Sequence, residues 1–267
     1  MHTAGSRNGT NGTGSVAEAP ATGLVAPYRA GVERTADLDL TIFVACYNEE
    51  ANIAATLDTI QEALRELPLN YEVIVIDDAS RDRSAEVVKD YQLRNPSLAL
   101  TLVENPRNRG LAYNFAEAAF LGRGVYYKLV CGDNVDSRDT LLKVFGRLGE
   151  SDLVVPYHER CEGRTWFRRA LSRTYTRLVN FLSGYSLGYY NGCGVYRRAD
   201  VMRWHSRGSG FGFQAELVIR LLDRGATYVQ VPIVGQDRQS GSSSALKLRN
   251  WISVGRTLLA IACRRRH

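Results

Sequence analysis

The chain lacks any run of about eighteen apolar residues, the length a bilayer-spanning helix needs, and its start has no apolar stretch of signal-peptide form. It is therefore not expected to cross a membrane by itself. Cysteine is sparse and scattered, at positions 46, 131, 161, 193 and 263. An odd number without a C-x-x-C pair argues against both a disulfide framework and a zinc site, and fits a reducing cytoplasm. The histidines at 2, 158, 205 and 267 show no metal-ligand spacing, and no serine or cysteine motif marks a covalent nucleophile. No G-x-G-x-x-G turn follows the first strand and no Walker-type G-x-x-x-x-G-K-S/T occurs, so neither a dinucleotide fold nor a P-loop is indicated. The glycine-rich "GSGFGF" follows "RWHSR", which is no strand, and reads as a loop. Lys plus Arg exceed Asp plus Glu by 34 to 28. No helix-turn-helix, zinc-finger or RNA-recognition signature accompanies that excess, so nucleic acid is not an expected partner.

Hydrophobic residues make up 45% of the 267 positions, enough for a substantial core. Residues 1–36 stand apart: they are rich in Gly, Thr, Ser and Ala, cannot bury enough surface to offset ordering entropy, and read as a disordered tail. From residue 40 the pattern changes. "LTIFVAC" and "EVIVID" are apolar runs of strand length, and "EEANIAATLDTIQEALREL" between them repeats apolar residues at helical spacing. The alternation continues through "SAEVVKDYQLR", "LALTLVE", "GLAYNFAEAAFLG", "VYYKLVC", "SRDTLLKVFGRLG" and "DLVVP". Strands apolar on both faces, alternating with helices, predict an α/β fold: a Rossmann-like, mostly parallel sheet with helices on both faces, up to about residue 156.

In such sheets ligands sit outside the carboxyl ends of the strands. There this sequence puts "YNEE" after the first strand, "DDAS" after the second and "GDNVD" after the fourth, so Tyr47, Glu49, Asp77, Asp78, Asp133 and Asp136 converge on one crevice. A helix N-cap would account for Asp78 or Asp136 alone, but less readily for three acidic strand ends in succession. Clustered carboxylates repel one another unless a cation sits among them, and oxygen-only ligands suit Mg²⁺ or Mn²⁺, ions that bridge phosphate oxygens.

"VACYNEEANI", "VIVIDDASRDRS", "NPRNRGLAYNFAEAA" and "LVCGDNVD", in that order and spacing, resemble the inverting family-2 glycosyltransferases of the GT-A fold over roughly residues 40–250. The segment "GFGFQAELVIRLLDRGATYVQVPIVGQDRQSGSSSALKLRN" narrows the likeness to the polyprenyl-phosphate (dolichol-phosphate) mannosyl- and glucosyltransferases. Its matching positions are Gln214 and Glu216, Val231 to Ile233, and Arg238, Gly241 and Ser243. The resemblance implies that Ala45, Tyr47, Glu49, Asp77 and Asp78 hold the nucleotide of a nucleotide-diphosphate sugar donor. It further implies that Asp133 is the second acidic residue of a D-x-D motif, binding the metal and with it the donor diphosphate. Arg238 would approach a donor or acceptor phosphate from a mobile loop. Glu216 is the candidate base if the acceptor needs one.

The sequence departs from that pattern in three places. Cys131 replaces the first Asp of D-x-D, leaving the metal to Asp133 with Asp136. In "GYYNGCG", Gly188 stands where the family has an acidic residue and Gly194 where it has an arginine, and Ser244 replaces a lysine. Two cations that would grip an acceptor phosphate are thus missing. A lipid phosphate nonetheless remains the favoured acceptor, because it is already ionised and needs no base, whereas a hydroxyl usually does. The alternatives are transfer to a hydroxyl of a saccharide, peptide or small molecule, and an inert GT-A domain that binds nucleotide sugar or membrane as a partner subunit.

The division expected is a tail over 1–36, the glycosyltransferase domain over 37–245, and an amphipathic basic helix over 246–267. That last segment, "SALKLRNWISVGRTLLAIACRRRH", mixes apolar residues with Lys and Arg, as "RTWFRRALSRTYTRLVNFLSGY" does. Both have the composition of a helix lying on an anionic membrane surface, or of an amphipathic helix packed on the sheet. The expected location is the cytoplasm, peripheral to the inner face of the membrane.

Overall fold

The computed structural model describes residues 38–161, 166–203, 212–235 and 248–263. Among these residues seven strands form one sheet: β1 (Leu40–Cys46), β2 (Tyr71–Asp77), β3 (Leu100–Glu104), β4 (Tyr126–Cys131), β5 (Leu153–Cys161), β6 (Val195–Arg197) and β7 (Tyr228–Gly235). Their order is β3-β2-β1-β4-β6-β5-β7. β1 pairs in parallel with β2 and β4, β2 with β3, and β5 with β7, and only β6 runs antiparallel, between β4 and β5. The mostly parallel α/β sheet expected from the sequence is the one observed, and it continues past residue 156 through β6 and β7.

Eight helices accompany the strands among the described residues: α1 (Ile53–Leu64), α2 (Ser84–Arg94), α3 (Leu111–Leu121), α4 (Arg138–Phe145), α5 (Trp166–Ser183), α6 (Arg198–Arg203), α7 (Phe213–Asp223) and α8 (Leu248–Cys263). Because successive strand side chains point to opposite faces, each central strand feeds two cores. Ile42, Val44, Val73, Val75 and Val130 pack under α1, α2 and α4, together with Ile53, Leu57, Val88, Leu141 and Phe145. Phe43, Ile74, Ile76, Tyr127 and Leu129 pack on the other face with Phe115 of α3, Val179 of α5, Leu217 and Val218 of α7 and Ile261 of α8. These double-sided cores are why β1 and β2 read as nearly continuous apolar runs and β4 as one interrupted by buried Lys128.

The two strand prolines sit where no ladder bond is lost. β6 pairs with β5 only at Leu153 and Val154, so Pro156 lies beyond it, and Pro232 is on the edge strand β7. α8 is not a detached appendage: Thr257 and Ile261 are buried, and the helix packs on α5 and α7. No described helix is long and apolar enough to cross a membrane.

Candidate active site at the carboxyl edge of the sheet

The parallel register sets Cys46 level with Asp77 and Ala45 level with Cys131 at the carboxyl ends of β1, β2 and β4. The described residues contain four non-glycine positions with positive φ: Asn48 (56°), Ala79 (61°), Asn134 (52°) and Cys193 (35°). Three follow β1, β2 and β4 directly, and the fourth precedes antiparallel β6, which puts it at the same edge. Left-handed backbone costs a residue with a Cβ on the order of 1–2 kcal/mol, and such strain persists only where the surroundings over-determine it, as at ligand sites.

Those surroundings are the loops themselves, laced by the polar residues of "YNEE" and "DDASRDRS". The Ser80 hydroxyl accepts from the Asn48 amide at 2.9 Å and the Asn48 side chain accepts from the Arg81 amide at 2.8 Å. Ser84 Oγ accepts from the Glu49 amide, and Asp82 accepts from the Glu50 amide and from Ser84. Glu50 closes the lace on the Arg83 backbone and guanidinium. Ser80, Asp82, Ser84 and Glu50 therefore serve the shape of the crevice. Their spacing at 80, 82 and 84, with alternate side chains turned to one neighbour, is the signal that would have found them.

The paired aspartates divide their labour. Asp78 is spent internally: its Oδ1 accepts from the Asn105 side chain at 2.9 Å and the Arg109 amide at 2.8 Å, and its Oδ2 from the Gly110 amide at 2.9 Å. Burial pushes the Asp78 carboxyl up, but the bonds from the Arg109 amide, Asn114, Asn105 and the Gly110 amide together outweigh it and hold the pKa below the ordinary value. Asp77 accepts from the Ser80 amide at 3.0 Å through Oδ2, while its Oδ1 is buried with no hydrogen-bond partner among the described residues. A buried acceptor left unsatisfied costs on the order of 1–3 kcal/mol, which a ligand N–H would recover. Asp77 also raises the thiol of buried Cys46: burial first, then this charge, takes it to about 12.

Ala45 is half-buried, Tyr47 is 43% exposed at the β1 tip, and Glu49 accepts from the Asn52 side chain at 2.9 Å. The β4 tip lies against β1. The Gly132 amide donates to the Ala45 carbonyl at 2.9 Å, and a Cβ at Gly132 would come within 2.8 Å of that oxygen. Thr56 Oγ1 donates to the Gly132 carbonyl and Thr59 Oγ1 to Asn134 Oδ1, so α1 fixes both flanks of half-buried Asp133. Ser137, not Asp136, caps α4, its hydroxyl accepting from the Thr140 amide. Asp136 is half-buried, and its charge is felt by the thiols of Cys131 and Cys193.

The Cys131 thiol lowers the Cys193 pKa against the pull of burial, and the Cys193 thiol, with burial and the charges of Asp133 and Asp136, raises that of Cys131 well above its ordinary value. Lys128 reaches the Cys193 carbonyl and Gln214 of α7 brackets Cys193, accepting from its amide and donating to its sulfur. No group of three His, Cys, Asp or Glu able to hold a metal occurs among the described residues. Asp133 and Asp136 supply hard oxygens suited to Mg²⁺ or Mn²⁺, ions commonly held by one or two carboxylates with substrate phosphates completing the shell.

Glu216 lies elsewhere on α7. It pairs with Arg220 at 3.1 Å, and at 100° per residue it is turned about 200° from Gln214, which faces the thiols. Arg238, Gly241, Ser243 and Ser244 lie outside the described residues. The two glycine departures have a packing reason. A Cβ at Gly188 would meet the Tyr157 ring at 2.8 Å, and one at Gly194 the Val154 carbonyl at 2.9 Å. Gly188→Asp should therefore lower stability by about 1–3 kcal/mol through overpacking, and adding Tyr157→Ala should recover part of it. Melting curves of the single and double variants check this. Tyr175 Oη and Asn191 Oδ1 are also buried with no hydrogen-bond partner among the described residues.

Known proteins share this fold. A glucosyl-3-phosphoglycerate synthase from Mycobacterium tuberculosis, solved with Mn²⁺, UDP-glucose and phosphoglyceric acid, superposes with a TM-score of 0.62 at 18% identity, over 86% of this chain and 80% of that one. The likeness establishes the GT-A fold. An undecaprenyl-phosphate 4-deoxy-4-formamido-L-arabinose transferase of Aeromonas hydrophila is 30% identical over 60% of this chain and 49% of its own length. A dolichyl-phosphate beta-glucosyltransferase of Dictyostelium discoideum is 30% identical over 41% of this chain and 34% of its own. The chain thus spans half or less of the length of these curated relatives. The model of Glycosyl transferase family 2 matches residues 41–204, more than half of the sequence, and the chain belongs to that family.

Proposed function

We propose that the protein is an inverting glycosyltransferase that moves a sugar from a nucleotide-diphosphate donor to an acceptor, with a polyprenyl phosphate favoured. The observation that carries this reading is the convergence of a pre-formed, laced β1–β2 edge, holding the unsatisfied Asp77 Oδ1, with the Asp133 tip of β4. The first suits a nucleoside, whose base offers an N–H to Asp77, and the second suits the diphosphate attached to it. The relatives whose names specify polyprenyl phosphates support the acceptor class.

In the reaction an acceptor oxygen attacks the anomeric carbon while the bond to the nucleoside diphosphate breaks on the opposite side, inverting that centre. Asp133 and Asp136 would hold Mg²⁺ or Mn²⁺, which when bound offsets the charge growing on the departing phosphate. Asp77, Tyr47 and Glu49 orient the nucleoside, and the Asp78-held loop fixes the wall beside it. Arg238 is assigned to a phosphate. An ionised phosphate acceptor needs no proton removed, in keeping with Gly188 and with Glu216 being engaged by Arg220. Incubation with a panel of nucleotide sugars and short-chain polyprenyl phosphate tests this. Release of nucleoside diphosphate only when both substrates are present is the expected result. Release with a saccharide and not with the lipid would replace the acceptor, and binding without release would make the chain a non-catalytic subunit.

The reading includes peripheral binding to an anionic membrane surface. Trp166, Arg169, Arg173, Arg177, Leu178 and Phe181 of α5 are all exposed, Trp166 by 74% and Phe181 by 79%. At 100° per residue they share one face, with aromatic and aliphatic groups set among guanidiniums, as at a lipid interface. Binding to phosphatidylglycerol vesicles should weaken as salt rises, since exposed charges are screened within about 10 Å at 0.1 M. Trp166→Glu with Phe181→Glu should lower co-sedimentation at least about fivefold, the loss expected when two aromatic anchors leave the interface, without moving the melting point. Unchanged co-sedimentation would remove α5 from the membrane contact.

A further inference from the structure

We propose that Lys128 is the cation of a phosphate subsite on the β6 side of the β4 tip, where it positions the phosphate of the acceptor. This rests on the acceptor reading given above and assigns a role to a residue that reading does not use. Lys128 lies in the middle of β4 and is 2% exposed. Strand alternation puts it on the sheet face of Val130, away from Tyr127 and Leu129. It pairs across the sheet with Val195, which packs with Val144, Val154 and Val231. From these apolar surroundings its side chain leans toward the carboxyl edge, where Nζ donates to the Cys193 carbonyl at 2.5 Å.

That bond is half of a clamp. Gln214, itself buried, accepts from the Cys193 amide at 3.2 Å and donates to its sulfur at 3.7 Å. The peptide groups on both sides of Cys193 are thus held while its φ stays left-handed at 35°. Holding a carbonyl takes a donor but no charge, and the neutral Gln214 amide serves the other side. An ammonium carries three donors, of which the carbonyl takes one. Lys128 forms no ion pair among the described residues. A buried cation without a counter-charge is costly, and replacing it by an apolar side chain is often neutral or stabilising. An anion bound beside it offsets that cost, and in a medium of low polarity a fixed charge acts on the anion more strongly than in water.

The location of this charge selects the anion. The sheet order runs β2-β1-β4-β6, so a nucleoside on β1 and β2 and the ammonium at the entry to β6 lie on opposite sides of the β4 tip. In an inverting transfer the acceptor oxygen approaches opposite to the departing diphosphate, which brings the acceptor in from the β6 side. Gly194, the next residue, has no side chain to supply a cation there. Lys128 acts from within the strand, through the Cys193 peptide, as a positioning residue for an acceptor whose reacting group is itself a phosphate.

The test titrates farnesyl phosphate and farnesol, which share a chain and differ in the phosphate, into wild type, Lys128→Met and Lys128→Gln. Glutamine keeps a donor for the Cys193 carbonyl without the charge, and methionine keeps neither. Lys128→Met should melt at or above wild type. Both variants should bind farnesyl phosphate at least about tenfold more weakly, bind farnesol as wild type does, and hold nucleotide sugar with Mn²⁺ within about twofold. Wild-type affinity for farnesyl phosphate in Lys128→Gln would make Lys128 a prop for Cys193 and overturn the proposal, as would equal losses for the alcohol and the phosphate. A loss confined to nucleotide sugar would overturn the acceptor assignment and give the charge to the donor diphosphate. If neither variant folds, wild type decides, and farnesyl phosphate bound no tighter than farnesol overturns the subsite. Inorganic phosphate separates the subsite from the acceptor reading: at constant ionic strength it should raise the melting temperature of wild type more than that of Lys128→Gln. Should wild type bind neither nucleotide sugar nor farnesyl phosphate, the acceptor reading falls, and an equal response of the two proteins to inorganic phosphate would take the subsite with it.

Discussion

Asp133→Asn should abolish metal-dependent donor binding and leave the protein melting within about 2 °C of wild type, because the amide matches the carboxylate in size. The side chain stands at the tip of β4, and the backbone around it is fixed by other groups: the Gly132 amide on the Ala45 carbonyl, Thr56 on the Gly132 carbonyl and Thr59 on Asn134. Replacing the carboxylate by an amide keeps size and most hydrogen bonding. It removes the charge that a divalent cation needs from the protein, since Cys131 supplies no carboxylate beside it. Losing one such electrostatic anchor costs on the order of a hundredfold or more. Asp136→Asn should weaken binding less and barely alter melting, because Ser137 caps α4. Calorimetric titration of nucleotide sugar with and without Mn²⁺ into wild type and both variants separates these outcomes. Undiminished metal-dependent binding by Asp133→Asn would remove the central assignment.

What could be read in advance follows from how far each signal depends on its own segment. β1, β2 and β4 are buried on both faces, so their apolar runs announced them, and the polar residues ending them marked the crevice. β6 could not be read this way. "VYR" is three residues long, and β4 and β5 on either side make it a strand. The glycine at 188 looked like a lost acidic group until Tyr157, thirty-one residues earlier, proved to fill its space. Asp77 and Asp78 looked alike in sequence. Their environments differ because Asp77, the last residue of β2, and Asp78 just beyond it diverge, one toward the crevice and one toward the loop after β3.

That divergence gives the second large effect. Asp78→Ala should lower stability by about 3 kcal/mol, roughly 6–12 °C in melting temperature, because it strands the Arg109 and Gly110 amides and the Asn105 side chain at once. Asp78→Asn should cost nearly as much, since its NH₂ would face one of those N–H donors. Asp77→Asn should instead melt close to wild type and bind nucleotide sugar at least about tenfold more weakly, having exchanged an acceptor for a donor at a ligand N–H. The pH dependence supplies a check on sign. The folded-state pKa of Asp78 is depressed by its hydrogen bonds, so its contribution is fully present above the unfolded carboxyl value of about 3.9. It fades as pH falls through the lower, folded-state value. Wild type should thus lose stability faster than Asp78→Ala on acidification below about pH 4, and the gap between their melting temperatures should narrow there. A gap that holds constant from pH 7 to pH 3 would mean that Asp78 does not act through its charge. Donor binding lost by Asp78→Asn at full stability would return the residue to the nucleotide contact.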